Sequence, residues 1–213
     1  MHESERPETI ELYSDYVCPF CYLGRQSLAQ YQETREARLE IDWQPFDLRS
    51  RKRNPDGSID HSVDDGKDED YYERAKQNVR QLAEQYDVEM ALDLSREVDS
   101  LNAQIASWYV KEHYPYETWL AFDEAILAAL WEEGRDIGDP EVLADLADDA
   151  GVDSDVRSAV DDETRVSDLR AQFQAAQEFG ITGVPTFVYG EHGARGAVPP
   201  EQLRRLVEGT DGR

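Results

Sequence analysis

The chain holds two cysteines, Cys18 and Cys21, with Pro19 and Phe20 between them. That spacing brings two sulfurs within one helical turn, where a thiolate backed by a thiol can exchange with a disulfide. A strand-like run over residues 9–13 precedes the pair, and a helix-like run over 19–33 follows it. Pro19 suits the first helical position, because the N–H it lacks would be unpaired there. Cys18 is then the cap residue, with its sulfur facing the free amides of the helix start. Those amides and the helix dipole favour a thiolate. Two blander fates compete. A structural zinc site needs two more ligands, and His2, His61, His113 and His192 are scattered without ligand spacing, so no metal site is expected. Free cysteines are also often inert core residues, but the intervening proline and the helix start weigh against that.

The elements that position this pair follow from periodicity. Leu39, Ile41 and Trp43 alternate with Glu40, Asp42 and Gln44, a half-buried strand. The first 46 residues therefore form a β-α-β unit with the cysteines at the carboxyl end of its first strand, where open α/β sheets place their sites. Residues 47–70 are polar, with a turn signal at Asn54-Pro55-Asp56-Gly57. They include a basic run, Arg49, Arg51, Lys52 and Arg53, which either binds an anionic ligand or, more commonly, pairs with local acids. From 71 to 179 the pattern is helical. One stripe is Trp119, Phe122, Ile126, Leu130 and Trp131, and Asp139-Pro140 is a cap followed by a first-turn proline. Such stripes line cofactor pockets or, more often, form the core of a helical bundle. Strand chemistry returns at 186–189, then a turn at 190–193, a second strand at 194–198, and a closing helix from Pro199-Pro200. The order is β-α-β, helices, β-β-α: an α/β fold with 1–64 and 166–213 forming one domain and 65–165 an all-helical insertion.

The 213 residues carry 47 acidic and 22 basic side chains, a net charge of -25. Such a surface repels nucleic acid and anionic membranes, so neither is an expected partner. The acids are spread along the chain and 39% of residues are hydrophobic, which argues for a folded protein rather than an acidic tail. Adaptation to a salt-rich cytoplasm explains the excess, because molar salt cuts the Debye length to about 3 Å. Extreme charge without high salt is the alternative. Residues 1–7 are polar with no apolar h-region, and no run approaches transmembrane length, so the expected location is the cytoplasm. There dithiols tend to be kept reduced and used catalytically.

A second chemical signal is Gly183-Val184-Pro185-Thr186. A proline ahead of a strand and after a glycine is a candidate cis-proline, although local sequence alone favours trans. Taken together, Cys18-Pro19-Phe20-Cys21-Tyr22 and Gly183-Val184-Pro185-Thr186 resemble the DsbA family of thiol–disulfide oxidoreductases. The longer run from Ser14 to Gly24 is similar to its FrnE-like branch. The resemblance implies a thioredoxin-like fold, Cys18 as nucleophile, Cys21 as resolving thiol and a cis-Pro185 loop opposite them. Pro19, Phe20, Val184, Pro185 and Thr186 then form the substrate-binding surface, with the Val184 N–H and C=O turned outward to an extended peptide. Phe20 stands where family members carry His or Trp, and offers the thiolate neither charge nor a hydrogen bond. Glu11 is the nearest match to the family's buried acid, one position out of register, and no role is assigned to it.

The resemblance also extends to 2-hydroxychromene-2-carboxylate isomerases and kappa-class glutathione transferases, where a serine usually replaces the first cysteine and activates glutathione. In that reading glutathione is the cofactor and Cys21 has no purpose. In the first reading no cofactor is needed beyond a redox-active Cys18–Cys21 disulfide. Its partners are protein or small-molecule thiols and disulfides, with the chain a monomer or homodimer. A non-catalytic thioredoxin-like binding module is a third alternative.

Overall fold

A computed structural model describes residues 8–64, 66–92 and 98–209; the polar segment 1–7 lies outside them. Strand β1 (Glu8–Ser14) leads to helix α1 (Pro19–Glu33) and strand β2 (Leu39–Pro45). Helices α2 (Glu69–Gln85), α3 (Leu101–His113), α4 (Tyr116–Trp131), α5 (Pro140–Asp149), α6 (Val156–Val160) and α7 (Glu163–Glu178) follow. Strands β3 (Thr186–Tyr189) and β4 (His192–Arg195) and helix α8 (Pro200–Glu208) close the chain. The fold is mixed α/β, with one sheet in the order β2-β1-β3-β4. β1 runs parallel to β2 and antiparallel to β3, which pairs antiparallel with β4.

β1 is central, and its last residues, Leu12, Tyr13 and Ser14, are all buried. Both faces are covered there. Ile10 and Leu12 pack with Leu28 and Tyr31 of α1, Phe187 of β3 and Leu203 of α8. Tyr13 packs with Ala176 of α7 and Ile181. The strand that delivers the cysteines is thus held from both sides before it ends.

The helices from α2 to α6 lie between β2 and β3 in the chain. The aromatic stripe of α4 is core: Trp119, Phe122 and Ile126 are almost wholly buried. Their cluster takes in Tyr16, Tyr22 and Trp43 from the β-α-β unit, so helices and sheet share one interior. Helix α7 spans the 165/166 position. Its Leu169 and Phe173 pack on Leu101 and Ile105 of α3, while Ala176 packs beneath the sheet. Caps fall where polar residues invite them: the Asp139 carboxylate accepts the Glu141 amide, with Pro140 opening α5.

β4 departs from the expected 194–198. Gly190, at φ 59°, makes the link to β4 only two residues long, so Tyr189 already pairs with His192. The strand ends before Gly196, at φ 92°: its amide still donates to the Pro185 carbonyl in register, but Pro185 has no N–H to return the bond and the pairing stops there. Among the described residues no helix is long and apolar enough to cross a membrane.

Candidate active site

Cys18 caps α1 in extended backbone geometry with Pro19 in the first turn. The amides of Cys21 and Tyr22 donate to the Cys18 carbonyl at 3.0 and 3.2 Å. The Cys18 sulfur makes no capping bond with the helix amides, contrary to expectation. Its Sγ instead donates across the gap to the Val184 carbonyl, at 3.8 Å.

The Val184–Pro185 peptide is cis. Pro185 sits against α1 because residue 24 is glycine: a Cβ there would lie 3.1 Å from Pro185 Cγ and 3.2 Å from Phe187 Cζ. The Thr186 hydroxyl donates to the Gly183 carbonyl at 2.7 Å, so it braces the loop rather than facing the cleft. Cys18, Pro19, Phe20 and Val184 line one cleft. Pro185 lies behind it, against Gly24, and Phe20 also packs toward Leu23 and Val79.

Both thiols are buried, Cys18 at 5% and Cys21 at 1% exposure. Burial pushes the Cys21 thiol well above the usual range, and its hydrogen bond with Cys18 and the Cys18 charge add to that. A backbone hydrogen bond with Asp15 works the other way, while the Asp15 charge raises it further.

Asp15 is the residue sequence reasoning passed over. It is 1% exposed, and burial pushes its carboxyl up to about 6. It accepts hydrogen bonds from the Ser100 hydroxyl and from the Leu48 and Val17 amides, which moderate that rise. Glu11, the expected match, lies mid-strand, opposite Asp42 and Val188, and accepts from the Tyr13 hydroxyl at 3.1 Å. The buried acid beside the cysteines is Asp15. Its signal was its place: an Asp just past a strand end, ahead of a turn, is suited to collecting backbone amides.

Polar bonds tie the cysteine loop to the helices. The Tyr16 hydroxyl donates to Asp123 at 2.6 Å, and Arg25 pairs with the same carboxylate at 2.7 Å. The Trp131 indole donates to the Tyr16 carbonyl at 2.8 Å.

On the opposite side the loop after β2 faces α2 across a cleft of about 450 Å3 that opens on Cys18. The basic run divides here. Arg53 turns inward and forms paired bonds of 2.7–3.1 Å with the Asp47 and Asp99 carboxylates. Arg49, Arg51 and Lys52 line the cleft, joined by His61 and Lys67. Among the described residues no group of three or more His, Cys, Asp or Glu is arranged to hold a metal ion.

The chain is similar to the Bacillus subtilis (strain 168) protein YwbO, with 29% identity over 93% of this chain and 94% of that protein. Its structure is similar to that of the probable DsbA oxidoreductase SCO1869 from Streptomyces coelicolor, with a TM-score of 0.73 and 22% identity over 96% and 92% of the two chains. It also resembles a 2-hydroxychromene-2-carboxylate isomerase, with a TM-score of 0.71 and 20% identity over 93% and 92%. A family model, the DSBA-like thioredoxin domain, matches residues 9–208, and the chain belongs to that family.

Proposed function

We propose, taking membership of the DSBA-like thioredoxin family as premise, that this protein is a thiol–disulfide oxidoreductase working through Cys18 and Cys21. The fold alone does not choose, since a probable DsbA oxidoreductase and a 2-hydroxychromene-2-carboxylate isomerase share it. The observation that carries the reading is the placement of the two sulfurs. Cys18 faces the Val184 carbonyl beside the cleft, and Cys21 lies buried one turn behind it. A glutathione-activating site needs only the first.

In the reducing direction the Cys18 thiolate attacks a substrate disulfide, forming a mixed disulfide and expelling one substrate thiolate. Cys21 then loses its proton and attacks Cys18 Sγ. That releases the second substrate thiolate and leaves a Cys18–Cys21 disulfide, which an external dithiol reduces. Run backwards, the same steps oxidise a substrate dithiol. No organic cofactor or metal enters, because the two sulfurs carry both electrons. Burial and the hydrogen bond and charge of Cys18 keep Cys21 protonated, and the Cys18 contributions are lost once Cys18 enters the mixed disulfide. Pro19, Phe20 and Val184 contact the substrate, with Pro185 and Thr186 fixing the Val184 backbone that an extended substrate would pair with. The partners are thiols and disulfides in the cytoplasm, where the dithiol is held reduced.

The test is Cys21→Ser. It should accumulate a covalent adduct on Cys18 that dithiothreitol releases, whereas Cys18→Ser should form none. Turnover that survives loss of Cys21 would favour the glutathione-dependent reading instead.

A further inference from the structure

We infer that Arg195 is a positioning residue: its guanidinium braces the backbone of Thr182 and Gly183 and so fixes the Val184 backbone beside Cys18. The inference rests on the exchange reading above and adds a residue that acts through Val184. Arg195 is the last residue of β4 and pairs across the ladder with Thr186, so the two side chains lie on one face of the sheet. Both reach back to the segment ahead of Val184. The Thr186 hydroxyl donates to the Gly183 carbonyl at 2.7 Å. Arg195 donates through Nη1 to the Thr182 hydroxyl at 3.1 Å and through Nη2 to the Thr182 carbonyl at 3.4 Å. On the far side of Val184, the Gly196 amide donates to the Pro185 carbonyl at 2.8 Å. The chain is thus tied down before and after Val184, whose own carbonyl accepts from the Cys18 sulfur.

Gly183 is what admits the guanidinium. Its φ is not positive, so backbone conformation does not call for glycine there. Space does. A Cβ on residue 183 would collide with Arg195 Nη2 and lie 2.9 Å from its Cζ and 3.0 Å from its Nε. Other surface arginines of this acidic chain, Arg38 and Arg157 among them, pair with carboxylates. Arg195 pairs with none among the described residues, and its bonds go to Thr182. It is exposed, so its removal should cost the fold little. Two nitrogens of one planar group on the hydroxyl and carbonyl of one residue fix orientation as well as distance, which the single ammonium of a lysine does not.

The test uses the purified full chain, reduced, and two uncharged disulfides: 2-hydroxyethyl disulfide and the symmetrical disulfide of acetyl-Ala-Ala-Cys-Ala-Ala-amide. Only the second has a backbone to pair with Val184. The readout is the ratio of peptide to small-disulfide exchange rate in each protein, which cancels any change in the cysteines themselves. Arg195→Met should lower that ratio by about tenfold, because bonds from a charged group are lost and the reacting geometry loosens. Gly183→Ala should lower it equally, since its methyl group displaces the guanidinium while the charge stays in the chain. The double variant Arg195→Met/Gly183→Ala should do no more than either single change, because one brace is lost only once. Arg195→Lys should keep most of the deficit. A ratio unchanged in both single variants would overturn the inference and leave the exchange reading standing. So would an additive double variant, which would mean that the two residues act separately, and so would full rescue by lysine, which would assign the effect to charge. A parent protein that exchanges with neither disulfide would instead sink the oxidoreductase reading, and this inference with it.

Discussion

The N-terminal half of α1 has two sides, and they treat charge in opposite ways. On the side facing the helices, Arg25 and Asp123 are buried and paired at 2.7 Å, with Tyr16 donating to the same carboxylate. On the other side, Arg49, Arg51 and Lys67 stand at an open cleft. Buried charge is costly unless its geometry is complete, so the first side spends its charges on position. Exposed charge adds little to stability, so the second side does little to hold the fold.

The comparison breaks most visibly at Asp123. Asp123→Ala leaves the buried Arg25 guanidinium only the exposed Glu124, 3.9 Å away, and its Nη1 already has no partner among the described residues. The expected loss is about 3–5 kcal/mol in urea unfolding. Arg25→Met/Asp123→Leu should recover most of it, since a well-packed apolar pair often replaces a buried ion pair without loss. A loss below ~1 kcal/mol for the single variant would mean that this side is no more locked than the cleft.

Much of this contrast was illegible in the sequence, for a physical reason. Local rules sufficed where local forces decide. The helix start at Pro19 and the period-two alternation of β2 were readable from neighbouring residues. So was the site's place at the end of a strand. The Val184 loop could be set opposite the cysteines only through a family resemblance. Nothing local separates Arg53 from Arg51. Asp47 is near both in sequence, and the distant Asp99, just ahead of α3, completes the pair of carboxylates that turns Arg53 inward and leaves Arg51 at the cleft. Asp15 is the same case. Its burial depends on Ser100 and Leu48, far along the chain.

Asp15 sharpens the comparison through pH. Its folded-state value of about 6 lies above its ordinary 3.8 because burial opposes the charge. Between those values the folded protein holds a proton that the unfolded chain has released. Stability from this group therefore falls as pH rises from about 4 to 6, and the loss is complete above that. Its size is about 3 kcal/mol. Asp15→Asn should flatten that part of the stability–pH curve by this amount relative to the parent. An unchanged slope would show that Asp15 ionises freely.

Gly24 joins the two sides, because it seats Pro185 against α1. Alanine in place of a mid-helix glycine normally stabilises by about 1 kcal/mol. Here the added carbon meets Pro185 and the fully buried Phe187 at 3.1–3.2 Å, and overpacking costs about 1–3 kcal/mol. Gly24→Ala should thus lose about 1 kcal/mol overall and slow exchange by shifting the Val184 carbonyl that Cys18 faces. A stabilised variant with unchanged exchange would show that Pro185 yields without consequence.

The smallest effect is the most discriminating, because salt separates the two sides. Arg51→Glu makes a net charge of -25 two units more negative at an exposed position. Substitutions of that kind cost about 0.5 kcal/mol or less. At low salt the added repulsion should show as a slightly lower Tm. At molar salt, with a Debye length of about 3 Å, the difference from the parent should vanish. The parent's own Tm should rise over the same range as self-repulsion is screened. Asp123→Ala should behave otherwise: its deficit should persist at molar salt, because ions do not reach a carboxylate site that is 3% exposed. Thermal melts of the three proteins across that range decide the matter. If the Asp123→Ala deficit closed with salt as the Arg51→Glu deficit does, the buried pair would be a screened surface interaction, and the two sides of α1 would not differ.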